Sequence, residues 1–234
     1  MNKPNDLPFQ KLHDTVSKCR KCPRLVEWRE KVAREKTRRF MDWDYWGRPL
    51  PGFGDPAAGL WVIGLAPAVH GGNRTGRVFT GDRSGDWLFR ALHRAGFASQ
   101  PESRNINDGL KLTDCYISAV VRCAPPANKP LHSEYDNCLP YLLREKELLK
   151  NLKIILCLGQ ISFSQTLVML EKAGFGPFRP KPHFQHGREI TLQDGTMLLS
   201  CYHPSQRNTF TGLLTENMFD AVFRRVNSLL CRRR

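Results

Sequence analysis

Four continuous apolar runs constrain the fold of this chain more than any other feature. They are LWVIGL at 60–65, YISAVV at 116–121, IILCLG at 154–159 and MLLSCY at 197–202. None alternates apolar with polar residues, as a strand with one wet face does. A continuous run suits a strand covered on both faces, the usual condition of a parallel sheet. Helical patterns lie between or after the runs, at 84–95, 134–150, 160–173 and 214–230. That alternation predicts an α/β fold, with three α/β/α layers around a central, mostly parallel four-stranded sheet. REITL at 188–192 reads as a short extra strand before the last run. The 234 residues, 41% of them apolar, suffice for one domain over 1–234, and no repeat interrupts it. Residues 9–35 read as a helical arm. Residues 36–56 read as an irregular ordered loop, because Trp43, Tyr45, Trp46 and Phe53 seek burial.

The cysteines are clustered. Cys19 and Cys22 share one turn of CRKCPRL; Cys123 directly follows a strand and Cys138 lies in the first part of the next helix. Two such pairs can close on one metal centre and pin the arm of about 9–56 to the sheet edge. Four thiolates fit tetrahedral zinc or an iron–sulfur cluster, and spacing alone does not choose between them. Cys115, Cys157 and Cys201 sit in apolar runs and read as core residues. The N-terminal MNKPNDLPFQ has no apolar signal region, and no stretch approaches a membrane span of about 20 apolar residues. A cytoplasmic protein is therefore expected, in a compartment where clustered thiols hold metal. A net charge of +14 favours a polyanion partner, most simply nucleic acid.

The chemistry is expected at the strand ends, where open α/β sheets gather their ligand sites. After the first run comes GLAPAVHGGNRTGRVFTGDRSG, residues 64–85, a glycine-rich loop holding Arg74, Arg77, Phe79 and Asp82. It matches neither the dinucleotide fingerprint nor the Walker A loop. After the last run comes HPSQRNTFTGLLT, residues 203–215, headed by His203. The loop after the second run carries Asn128. Read singly, His203 ends a strand and Asp82 caps a helix; their shared sheet edge is what suggests chemistry. These features leave three readings open: a DNA-working enzyme, a non-enzymatic metal-containing nucleic-acid-binding module, and a nucleotide-processing α/β enzyme.

Taken together, GLAP-x7-TGR-x-FTGD-x-SG, the four cysteines, RCAPPANKP and HPSQRNTFTGLLT resemble the family 5 uracil-DNA glycosylases, from Cys19 to about Met218. The resemblance implies a [4Fe–4S] cluster on Cys19, Cys22, Cys123 and Cys138. It implies a monomeric enzyme that flips a base from double- or single-stranded DNA and hydrolyses its glycosidic bond. Phe79, Ala68, Asn128 and His203 would contact the base, and Asp82, His203 and Asn128 would carry the catalysis. Arg74, Arg77, Ser205 and Arg207 would hold phosphates, with Leu213 or Leu214 wedging into the duplex. Two departures from other uracil glycosylases stand out. Leu65-Ala66-Pro67-Ala68 holds no carboxylate, and Ala119 stands where family 4 relatives place an asparagine. Family 5 shares both absences and accepts deaminated purines, so hypoxanthine release is expected beside uracil release.

Overall fold

A computed structural model of the protein describes residues 6–231. The sheet has six strands in the order β1-β3-β2-β4-β6-β5. Strands β2 (Leu60–Gly64), β3 (Cys115–Ala119), β4 (Ile154–Leu158) and β6 (Met197–Cys201) are mutually parallel and correspond to the four apolar runs. Every residue of these strands is buried. The expected count of four needs correction to six. The expected strand near 188–192 is β5 (Glu189–Thr191), antiparallel to β6. Strand β1 (Phe53–Gly54) pairs antiparallel with β3 within the segment expected to be irregular. Two residues are too few to show a period, so only the edge of β3 defines β1.

Alternate strand residues serve two cores, which accounts for the unbroken apolar runs. On one face Leu60, Val62, Ile117, Leu156 and Leu199 pack with α4 (Arg83–Arg94) and α8 (Glu216–Cys231). On the other, Trp61, Ile63, Tyr116, Ile155 and Leu198 pack with α5 (His132–Leu148) and α6 (Gln160–Leu170). Trp61 Nε1 donates to Ser118 Oγ at 2.9 Å, so the one polar atom of a fully buried indole is satisfied.

The arm is two helices, α1 (Asp6–Ser17) and α2 (Pro23–Glu35), broken at the first cysteine pair. Pro23 starts α2, where its missing N–H costs nothing. Arg24 then grips Glu134 of α5 through Nε and Nη2, at 2.9 and 2.8 Å. At the base of the arm, Arg122 and Glu145 form an ion pair of 2.6 Å with each side chain about 1% exposed. Glu145 also accepts from Tyr116 Oη, which lies 3.1 Å from His13 Nε2 of α1. Among the described residues no helix is long and apolar enough to cross a membrane.

Candidate active site and cysteine cavity

The chain leaves β2 toward β3 on one side and leaves β4 toward β6 on the other. Open α/β sheets take their ligands at such a reversal, which here is the crevice position at the carboxyl ends of β2 and β4. A glycine stands at each lip. Gly64 ends β2, and a Cβ there would lie 2.5 Å from Cζ of Phe79. Gly159 follows β4 at φ +96°, and a Cβ there would lie 3.2 Å from that of His203. Phe79 and His203 meet over this gap with ring centroids 5.9 Å apart and planes inclined by 28°. Phe79 itself holds φ +53°, rare for a residue with a side chain, and its carbonyl lies where a Cβ on Gly85 would be. The turn into α4 therefore requires glycine at position 85 and aims the Phe79 ring at the crevice.

Asp82 is the N-cap of α4, its Oδ1 accepting from Gly85 N at 3.0 Å. Its Oδ2 points toward the first part of the same loop, 2.6 Å from where a Cβ on Gly71 would stand and close to Ala68. Burial raises the Asp82 carboxyl, opposed by bonds from the Gly85 and Ser84 backbone. Burial also lowers His203, to about 4, so its ring is neutral at physiological pH. The His203 carbonyl is held by Ser205 N at 2.8 Å and Asn208 Nδ2 at 2.9 Å. Asn128 is exposed in the loop after β3, with φ +56° following Ala127 at +51°. The structure thus brings Phe79 onto His203, and Asp82 against the Ala68–Gly71 turn. Asn128 stands apart on its own loop.

Two of the expected phosphate ligands need correction. Arg77 is 4% exposed, donates to Ser103 Oγ at 2.8 Å and pairs with Asp108 at 2.9 Å. Burial works to raise Asp108, but bonds from Arg77 and from the Arg104 and Leu110 backbone bring it down to about 2. Arg74 is 5% exposed, with its guanidinium carbon 3.9 Å from the Phe40 ring centre and 4.1 Å from that of Trp43. It donates to the carbonyls of His70 and Gly81. Both arginines hold the glycine-rich loop in shape. Arg207 is exposed in α7 (Gln206–Phe210), which Ser205 caps through Asn208 N at 3.3 Å. Leu214 is fully buried and belongs to the core, whereas Leu213 is 47% exposed. Sequence reasoning passed over Phe210, which is 68% exposed with Arg83 stacked 4.4 Å above its ring. An aromatic between threonines in NTFTG was the available signal. It also passed over the glycines at 64 and 159, each the last residue of its β-like run or next to it.

The four clustered cysteines line one cavity, together with Arg29, Arg122, Asn137 and Tyr141. Arg29 Nη1 donates to Cys123 Sγ at 2.9 Å, and Asn137 Nδ2 to Cys22 Sγ at 3.4 Å. Arg122 Nε is buried with no partner. Burial pushes the Cys123 thiol up to about 12 and Cys138 up to about 11. Among the described residues no three His, Cys, Asp or Glu side chains converge on a point fit for a single metal ion. The donor set around the cavity is all-sulfur and flanked by cations, which suits a thiolate-bound metal centre, zinc or iron–sulfur. The arm, the loop after β3 and α5 all meet there.

The family model for the uracil DNA glycosylase superfamily matches residues 51–227, a span that includes every crevice residue described above. The type-5 uracil-DNA glycosylase of Mycobacterium leprae is 49% identical over 93% of this chain and 94% of its own length. That of Thermus thermophilus is 47% identical over 88% of this chain and 90% of its own. A type-4 uracil-DNA glycosylase of Pyrobaculum aerophilum is 29% identical over 85% and 84%. On the family match and these nearly full-length similarities, the chain belongs to the uracil-DNA glycosylase superfamily, with the type-5 enzymes.

Proposed function

We propose that this protein is a monofunctional DNA glycosylase that releases uracil, and hypoxanthine as well, by hydrolysis of the N-glycosidic bond, starting base excision repair. The observation that carries the reading is the stacking of Phe79 on His203 at the switch-point strand ends, with Asp82 three residues after Phe79 in the same loop. A base must leave the stack to reach such a site. The Phe79 ring gives it a flat surface that tolerates one ring or two. As the C1′–N bond breaks, its electron pair goes to the base and positive charge grows on the sugar. His203, neutral, donates an N–H hydrogen bond to the base anion, a charge that develops only in the transition state. The Asp82 carboxylate faces the sugar cation and orients the water whose oxygen adds to C1′. The proton released by that water neutralises the departing base. Asn128, carried by the loop after β3, contacts the base or the water. None of these groups is a lysine that could form a Schiff base, so the product is an abasic site on an unbroken strand. Ala119, 2% exposed at the end of β3, offers no amide to read a uracil edge. Mass spectrometry of bases freed from duplexes carrying uracil or hypoxanthine tests the specificity. Release of uracil alone would confine the activity.

Cys19, Cys22, Cys123 and Cys138 would hold a [4Fe–4S] cluster. It would supply a structural tie between the arm, the loop after β3 and α5. Arg29 and Arg122 are placed to offset its negative charge. Iron and acid-labile sulfide in protein purified without oxygen test this assignment, and stoichiometric zinc overturns it. The enzyme acts as a monomer on double- or single-stranded DNA.

A further inference from the structure

We infer that the segment 38–48, outside the crevice, is a second DNA-contact surface that grips the phosphodiester backbone beside the flipped nucleotide. The inference rests on the glycosylase reading and extends it. The segment is firmly attached to the site. Trp46 N and Gly47 N donate to the carbonyls of Arg74 and Asn73, both at 3.0 Å, in the glycine-rich loop. Tyr45 Oη lies 3.1 Å from His70 Nδ1 in the same loop. Phe40 and Trp43 enclose the Arg74 guanidinium from two sides. Whatever touches the segment therefore lies beside the turn that carries Asp82.

Its charges are arranged for an external anion. Arg38, Arg39 and Arg48 are all exposed. Asp42 and Asp44 lie in the same stretch, yet among the described residues neither forms an ion pair with any of the three arginines. Some exposed arginines elsewhere meet carboxylates, as Arg94 does Asp220 and Arg104 does Glu102, while others, such as Arg83 and Arg207, form no ion pair among the described residues. Behind the segment Arg74 has carbonyl and aromatic partners and, among the described residues, no carboxylate within ion-pair distance. A buried guanidinium outside any ion pair among the described residues, with the Asp82 carboxylate acting on it only at longer range, joins the exposed unpaired ones in a positive field beside the glycine-rich loop. Arg39 and Arg48 also lie over the rings of Phe40 and Trp46, at 5.1 and 5.5 Å. Those rings limit where the guanidiniums can go, so less freedom is lost when a phosphate binds. Planar guanidiniums, two of them backed by rings, suit charge-assisted contacts to phosphate oxygens.

The test is equilibrium binding of the full-length protein to a duplex with a tetrahydrofuran abasic-site analogue, across a salt series. The Arg38→Ala/Arg39→Ala variant should flatten the slope of log affinity against log salt by about 2, since each lost phosphate contact removes about 0.9. Arg48→Ala should flatten it by about 1. The Arg38→Lys/Arg39→Lys variant should keep the slope, because the charges remain. Arg144→Ala, an exposed site on α5 paired with Glu147, should leave it unaltered. An unchanged slope in the double alanine variant, with uracil release intact in the parent protein, overturns this surface alone. A parent protein that frees no uracil overturns the glycosylase reading whatever the slopes show.

Discussion

Phe79 stacks on His203 across the mouth of a crevice whose two lips are glycines, Gly64 beneath the phenyl ring and Gly159 beneath the imidazole. The pair joins two loops that are more than 100 residues apart in sequence. The relationship leads to the first prediction. Gly64→Ala places a methyl group 2.5 Å from Phe79 Cζ and must push the ring into the crevice. Single-turnover base release should fall by about 10²-fold, the scale expected for a displacement near 1 Å. The melting temperature should move little, because a phenyl ring at the rim can yield. An unaffected rate would show that the ring does not line the base site.

His203 supplies the second. Its pKa is lowered to about 4 by burial, against an ordinary value of about 6.5. The unfolded chain therefore binds the proton first as pH falls, and the neutral donor persists in the fold until pH approaches 4. Base release should show no His203 limb between pH 5 and 8 (about the physiological range). His203→Ala should slow release by about 10²–10³-fold, the usual effect of losing one such donor. A rate that halves near pH 6.5 in the parent and not in the variant would contradict the neutral-donor role.

Asp82 has two duties that can be separated. Oδ1 caps α4, and Oδ2 faces the Ala68–Gly71 turn. Asn caps as well as Asp, so Asp82→Asn should preserve stability while slowing base release. Asp82→Ala should lose both, with a stability cost of about 1 kcal/mol. Thermal melts and single-turnover rates on the two variants provide the comparison. Full activity in Asp82→Asn would reduce Asp82 to a helix cap.

Arg77 and Arg207 should behave oppositely. Removing Arg77 leaves Asp108 buried without its partner, a loss of about 3–5 kcal/mol. Arg207→Ala touches an exposed side chain and should leave the melting temperature unaltered while weakening DNA affinity by about 1 kcal/mol or more. Chemical denaturation and binding titrations distinguish them. A stable Arg77→Ala variant with weakened DNA binding would restore Arg77 to the phosphate role.

These contrasts show how far the sequence could be read. The four inner strands were legible because burial on both faces leaves an unbroken apolar run, and helix α4 because Asp82 stands at its cap. The edge strand β1 was not, since Phe53 and Gly54 acquire strand geometry only from β3. The loops bearing Phe79, Asp82 and His203 were placed by their position after strands. Arg74 and Arg77 were misassigned for a physical reason. An arginine in a glycine-rich loop looks free to meet phosphate until its partners appear, and Phe40, Trp43 and Asp108 lie about 30 residues away. Leu213 and Leu214 are adjacent and alike in sequence. Only the packing of Leu214 into the core between the sheet, α4 and α8 decides which one is buried.

The central claim is that the crevice hydrolyses a glycosidic bond and leaves the DNA strand whole. The most direct measurement is a single-turnover reaction on a duplex with one uracil, with half the sample treated with alkali and half left untreated. The account predicts strand scission at the uracil position only in the alkali-treated half, with no covalent complex trapped by borohydride. A strand that survives alkali would contradict the glycosylase reading, and scission without alkali would contradict the hydrolytic mechanism.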